Sequence, residues 1–237
     1  MPEKNSSTKS LNKIRVITGV LTTAAKLWLR AQVSQVSQLE VEIKASDRQI
    51  LSGRIPWVSI LASHAIYQDL HITRIQLVAE NIQVNIGQVL KGRPLQLLEV
   101  VPVVGDLIID EEDLNSSLSS ELFSTALNDV LIKLLPEYNQ KSKSISWQKI
   151  ILDNNQIILR AILAPTTEPI PLEMCLSLKL LSSRELQLSQ IQVTENQVTL
   201  LEAGYSYTLD LGSEVDIQEL SVIPGKLTCR GRIQVNP

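Results

Sequence analysis

LHITRIQLVAENIQVNI, residues Leu70 to Ile86, decides the fold class. Its apolar residues recur at every second position, the period of a strand with one buried face. The phase is not constant. Leu70 and Ile72 are even, Ile75, Leu77 and Ala79 are odd, and Ile82, Val84 and Ile86 are even again. A slip of one residue turns every later side chain to the other face of a sheet. Two slips in one stretch predict bulges or breaks, which bend and twist a strand. The expectation is a strongly curved sheet.

The neighbouring segments extend this reading. Upstream, QLEVEIK alternates Leu39, Val41 and Ile43 with charged residues, as a half-buried strand does. Downstream, LQLLEVVPVVGDLII contains Pro102 and Gly105. Proline cannot donate to a ladder, so this run reads as two short strands about a turn or as a kinked edge strand. DEEDLNSSLSSELFSTALNDVLIKLL then opens with carboxylates and hydroxyls, which satisfy the free N–H groups of a helix start. Leu122, Ala126, Val130 and Leu134 form its expected buried stripe, with Phe123, Leu127 and Leu131 beside it, and Pro136 ends it.

PEYNQKSKS (136–144) is polar and is the best candidate for an internal boundary. Strands follow in ISWQKIIL and NQIILRAIL, then a proline-rich loop, APTTEPIP. Met174, Leu176, Leu178 and Leu180 alternate, and Leu186 and Leu188 pass to Ile191 and Val193 with another phase slip. In the last strand Leu227, Cys229, Gly231, Ile233 and Val235 share one face. No internal repeat emerges, since the tripeptide IQV, found three times, is too short to be one. Strands succeed one another without intervening helices, which predicts an antiparallel α+β fold rather than a doubly wound one.

The N-terminal stretch LNKIRVITGVLTTAAKLWLRAQV (11–33) has a different period. Wound as a helix, Ile14, Val16, Ile17, Val20, Leu21, Ala24, Ala25, Leu27, Trp28 and Ala31 occupy about half the circumference. Arg15, Thr18, Thr22, Thr23, Lys26 and Arg30 occupy the other half, joined by Leu29. Three readings compete: a signal peptide, a helix packed on the protein's own sheet, and a helix that also touches a membrane. As an apolar signal core, Val16–Ala25 is weakened by three threonines and a glycine. The expectation is a retained amphipathic helix on the cytoplasmic side, partly packed and partly membrane-facing, with export as the alternative. The expected division is a basic arm and helix over residues 1–36, and a single α+β domain over 37–237.

The chain has 237 residues, 44% hydrophobic and 20% charged, with a mean hydropathy of +0.09, which suits a folded chain with a real core. No apolar run is long enough to span a bilayer as a helix. Aromatics are only 3%, so Leu, Ile and Val must build the interior. Such an interior suits acyl chains and equally suits an ordinary core. The net charge of −3 is uneven: residues 1–30 carry six basic side chains and one acidic. A basic arm on an acidic body points to an anionic partner.

The search for chemistry is nearly empty. His64 and His71 lack companions at metal-ligand spacing, so no metal is expected. Cys175 and Cys229 form no framework and read as small buried hydrophobes in a reducing compartment. No nucleophile, zinc or phosphate-loop motif is present, so neither a catalytic residue nor a cofactor is assigned. The acidic body lacks an aromatic platform, which argues against nucleic acid. The remaining features are cationic. Lys91-Gly92-Arg93-Pro94 reads as a turn presenting two cations, suited to a phosphate headgroup or to plain solvation. Lys26 and Arg30, flanking Trp28, suit an anionic membrane surface.

DRQILSGRIPWVSI, AIYQDLHITRIQLVAENIQVNIGQVLKGRPLQLLE, VPVVGDLIIDEEDLNSSLSSELFSTALNDVL and LGSEVDIQELSVIPGKLTCRGRIQV together resemble the LmeA-like phospholipid-binding family of bacteria, in the form seen in photosynthetic bacteria. The likeness covers roughly residues 12–236. It implies phospholipid as partner and a fold related to tubular lipid-binding proteins, in which a curved antiparallel sheet wraps a long helix and leaves an apolar groove. It supplies no catalytic residues; Lys91, Arg93 and Asp113 match motif positions. The family's other members carry a clear secretion signal, unlike this N-terminus. The combined expectation is a non-enzymatic phospholipid-handling protein peripheral to an anionic membrane, with Lys26, Trp28, Arg30, Lys91 and Arg93 as contact residues. The alternative is a membrane-associated scaffold with a filled core and no ligand.

Overall fold

A computed structural model describes residues 7–139, 144–164 and 169–237. The most N-terminal basic residue, Lys4, the middle of the polar 136–144 segment and residues 165–168 of the proline-rich loop lie outside the described residues. The chain opens with helix α1 (Ser7–Gln32), then β1 (Gln35–Lys44), a short α2 (Asp47–Leu51), β2 (Arg54–Tyr67), β3 (Leu70–Gln83), a one-turn α3 (Ile86–Val89) and β4 (Val101–Asp110). Helices α4 (Glu111–Ser116) and α5 (Glu121–Leu134) lead to a second sheet, built from β5 (Ser144–Asp153), β6 (Gln156–Ala164), β7 (Ile170–Ser182), β8 (Glu185–Glu195) and β9 (Val198–Asp210). The chain then returns to the first sheet with β10 (Val215–Ile223) and β11 (Lys226–Val235). The sheet orders are β1-β2-β3-β4-β11-β10 and β5-β6-β7-β8-β9, every pairing between strands is antiparallel, and neither sheet closes on itself.

The phase slips of the Leu70–Ile86 stretch have a more specific cause than an inserted residue. The β2–β3 register runs without shift from Arg54↔Gln83 to Tyr67↔Leu70. Asn81 takes a φ of 55°, and Glu80 and Asn81 are both exposed, so burial passes from Ala79 to Ile82. On β2, burial passes from Ile55 to Val58 opposite this point, and from Ala62 to Ala65 around His64, whose φ is 47°. Asn81 lies opposite Pro56 and His64 opposite Thr73, so at each of these two levels both strands change face together while the ladder keeps its register. In the second sheet the slip between Leu188 and Ile191 is a true bulge: the register shifts there, and Gln190 has a φ of 52°.

Two expectations are corrected. The Pro102–Gly105 run is neither two strands nor an edge; β4 is continuous between β3 and β11. Pro102 is tolerated because the β3 ladder stops at Ala79↔Val103, one residue short of it. Gly105 lets β3 come close, since a Cβ there would sit 3.1 Å from Leu77 Cδ2. The long helix from Asp110 is broken. The Asn/Ser run bonds back to its own carbonyls, with Asn115 to Glu111, Ser116 to Glu112, Ser117 to Asp113 and Ser119 to Ser116. Such side-chain bonds compete with helix continuation. Ser120, fully buried and extended, then caps α5 by accepting the Phe123 N–H, and donates to the Gln68 carbonyl. The buried face of α5 is accordingly rotated: Leu131 and Leu134 are inside, whereas Leu122 is 51% exposed and Ala126 is exposed. The helix stops at Leu134, before Pro136, as expected.

Helix α4 joins the sheets. Two of its three carboxylates are bonded: Glu111 accepts the Leu152 N–H at 2.8 Å and Asp113 accepts the Thr73 hydroxyl at 2.5 Å. Asn115 bonds both the N–H and the carbonyl of Ile150 on β5, each at 2.8 Å. The β10–β11 turn adds Gly225 N–H to the Leu152 carbonyl, and Asn155 N–H reaches the Val222 carbonyl.

The hydrophobic interior falls into two clusters. One fills the space between the second sheet and α5, with Leu131, Ile150, Leu163, Leu172, Met174, Ile191 and Val193 essentially inaccessible. The other gathers Leu21 of α1, Ile50 of α2 and Val89 of α3 against β2, β3 and β4. Both are aliphatic, as expected; Trp147 and Tyr138 are the buried aromatics among the described residues.

Gly53 ends α2 with a φ of 76°, its carbonyl accepting the Val84 N–H at 2.8 Å. A Cβ there would lie 2.5 Å from the Val84 carbonyl oxygen. Gly53→Ala is therefore expected to destabilise the protein by about 2 kcal/mol, combining left-handed strain and a backbone collision. Urea unfolding checks this.

Candidate functional site

Helix α1 rests on β1 and α2 through Leu21, which is 1% exposed. Its neighbouring flank is open. Thr23, Leu27 and Ala31 recur at helical spacing, with Ala24 and Trp28 in the next row, and together with Gly19 they line one wall of a groove. The opposite wall is the turn after α3: Val89, Gly92, Arg93, Pro94 and Leu95. The groove has a volume of about 790 Å³ and is largely apolar. Its mouth is apolar too, since Leu27 is 63% exposed and Trp28 36%.

The turn is held rigidly. Lys91 N–H bonds to the Gln88 carbonyl, Gly92 N–H to Val89 and Arg93 N–H to Gln88, with Gly92 at a φ of 80°. Below it, buried Asn85 forms a clamp. Its Nδ2 donates to the Pro94 carbonyl at 3.0 Å, and its Oδ1 accepts the Gln96 N–H at 2.8 Å. This clamp was not anticipated from sequence. The only signal for it is an asparagine between the apolar residues Val84 and Ile86. Val89 and Ile86, both buried, pin the same turn to the core.

The structure brings two of the five expected contact residues together. Trp28 and Arg93, far apart in sequence, face each other across the groove walls. Arg30 lies in an adjacent hollow of about 550 Å³ with Ser34, Ser37 and His64. Lys26 and Lys91 line neither space. Among the described residues, Lys26, Arg30, Lys91 and Arg93 form no ion pair, whereas Arg160, Lys226 and Arg230 do.

Elsewhere several groups with chemical potential have structural roles. His71 lies opposite Ile66, and its backbone N–H donates to the Ser117 hydroxyl; His64 sits at a left-handed position of β2, so the histidines do not form a pair. Burial pushes both thiols up, with Glu173 adding to the effect at Cys175, so they stay protonated at neutral pH. Each is half-buried and free. Tyr138 donates to Glu195, and burial together with that carboxylate raises its phenol well above the usual range. Among the described residues no group of three His, Cys, Asp or Glu is placed to hold a metal ion, and no helix is long and apolar enough to cross a membrane.

A family model described as LmeA-like phospholipid-binding matches residues 13–232, nearly the whole chain. No curated protein and no solved structure matches.

Proposed function

This chain belongs to the LmeA-like phospholipid-binding family, and from that premise we propose that it binds phospholipid at the groove between α1 and the Gly92–Pro94 turn, while docked on an anionic membrane. The observation that carries the reading is the groove itself: apolar walls, one cation on its rim, and an apolar mouth open to the outside. An acyl chain there leaves water, at about 0.8 kcal/mol for each methylene, and a phosphate meets the Arg93 guanidinium. The paired kinks of β2 and β3 support a strongly curved sheet beneath α1, of the kind expected for a tubular lipid-binding fold. Trp28 sits at headgroup depth, and Lys26, Arg30 and Lys91, without carboxylate partners among the described residues, contact the anionic surface. The role is binding and handling of lipid rather than catalysis. The protein acts from the cytoplasmic side, with α1 retained, and residues 37–237 act as one domain behind the arm and helix of 1–36.

Cosedimentation with vesicles of equal parts phosphatidylglycerol and phosphatidylcholine tests the docking. The wild-type protein is expected to sediment with them and to be released by salt. Charge reversal at Lys26→Glu with Arg30→Glu is expected to weaken binding about thirtyfold, from roughly 1 kcal/mol per basic residue near the surface, with the circular dichroism spectrum unchanged. Undiminished sedimentation of the double variant would remove these residues from the interface. The filled cluster around α5 favours one rival, a membrane-associated scaffold without ligand. That reading predicts vesicle binding with no lipid retained in native mass spectra.

A further inference from the structure

Helices α1, α2 and α3 and the chain that runs on to Val100 form a layer over one face of the first sheet, and each segment of that layer is two-sided. Leu21, Ile50, Val89 and Leu97 point into the aliphatic cluster against β2, β3 and β4. Leu27, Leu51, Leu90 and Leu98, on the same segments, are each more than half exposed. The segments are knit together. The Gly53 carbonyl accepts the Val84 N–H, Leu97 bridges to Val84, the Leu98 N–H bonds the Gln83 carbonyl, and α2 packs on both α1 and α3. The core does not use the four outward leucines, and apolar surface left in water on this scale marks a contact face.

Charge identifies what covers it. Segments 19–32, 47–51 and 84–100 carry Lys26, Arg30, Arg48, Lys91 and Arg93 against Asp47 and Glu99, a basic surplus in a chain of net charge −3. None of these five cations forms an ion pair among the described residues. A second copy meeting the layer face to face would be repelled, whereas an anionic bilayer supplies hydrocarbon for the leucines and countercharge for their rim. Val198, Leu200 and Tyr205 on β9 are also exposed, but the charges of that strand are Glu202 and Asp210, which such a membrane repels.

We infer that Leu27, Leu51, Leu90 and Leu98 enter the hydrocarbon edge of an anionic bilayer, with Arg48, Lys91 and Arg93 at its headgroup phosphates. This step rests on the membrane docking proposed above and adds its orientation and depth. The helical layer faces the membrane, and the open mouth of the groove meets the acyl chains without intervening water.

Leu51→Asn with Leu98→Asn tests the insertion, because both residues are exposed and neither lines the groove. The full-length protein is titrated with vesicles of equal parts phosphatidylglycerol and phosphatidylcholine at several salt concentrations. The double variant is expected to bind about a hundredfold more weakly than wild type, about tenfold for each leucine. The loss should be the same at every salt concentration, because salt screens charges and not apolar contact. Tyr67→Asn with Leu122→Asn, at exposed positions by the far end of β2, is expected to bind as wild type. Leu98→Trp is expected to add fluorescence that vesicles with brominated acyl chains quench, and Leu122→Trp is not. Undiminished binding of the Leu51/Leu98 variant, or an equal loss in the Tyr67/Leu122 variant, overturns the inserted face and leaves the proposed docking standing. A wild-type dimer in light scattering that the Leu51/Leu98 variant turns into a monomer overturns it too, since the face then belongs to a second copy. Wild-type protein that ignores the vesicles altogether overturns the proposed docking as well.

Discussion

Asn115→Ala is expected to destabilise the protein by about 3 kcal/mol, through the loss of paired backbone bonds between α4 and an edge strand. The Asn115 amide donates to the Ile150 carbonyl and accepts its N–H, both at 2.8 Å, and also donates to the Glu111 carbonyl at 2.7 Å. Ile150 is 1% exposed, so water cannot readily replace the amide. An unsatisfied buried backbone group costs about 1–3 kcal/mol, and the substitution strands two. Glu111 remains bonded to Leu152 N–H two residues on, which keeps the seam in register. Denaturant unfolding followed by tryptophan fluorescence measures the effect, since Trp147 lies on the same strand. A loss below about 0.5 kcal/mol, the range of surface substitutions, would show that the seam does not depend on this clip.

Leu21→Ala carries a comparable cost, about 2–5 kcal/mol, as expected for a large-to-small change at a site that cannot collapse. Leu21 is 1% exposed and packs among Ile50, Ile55 and Val58. Its neighbours on the helix, Ala24 and Ala25, are small and only half-buried. The leucine is therefore the main apolar anchor of the described part of α1. Because α1 is also one wall of the groove, lipid binding should fall together with stability. Hydrogen exchange separates local from global loss: faster exchange confined to α1 means the helix detaches while the sheets stay closed. Leu21→Met, which keeps the volume, should cost less than about 1.5 kcal/mol and preserve binding. If Leu21→Ala loses stability but binds lipid as wild type does, α1 is not a wall of the site.

Much of the architecture is legible locally. Alternation marked β1, β7 and β11, short apolar runs marked β5 and β6, and the acidic opening marked the start of α4. These features were readable because the facing of a side chain depends on its own strand or helix period. The misreadings arose where a local rule met a distant neighbour. Pro102 looked like an edge residue, but its missing donor falls where the β3 ladder has already ended. The apparent long helix is cut at Ser120 by a hydroxyl that reaches the Gln68 carbonyl, 52 residues away in sequence. The phase slips in β3 were visible, but the matching kinks in β2 that preserve the register were not.

The candidate site divides in the same way. Composition, the basic N-terminus and the two-cation turn were open to reading in sequence order, and with the family resemblance they pointed to lipid. The sequence by itself determined an aliphatic, strand-rich chain with a helical first segment, because periodicity and charge are properties of neighbours along the chain. Only the tertiary structure decided that Trp28 and Arg93 share a groove while Lys26 and Lys91 stand outside it. It also decided that the acidic run 110–113 helps hold two sheets together. Those outcomes depend on register and packing between segments tens of residues apart, and no local pattern encodes which distant backbone group a side chain will meet.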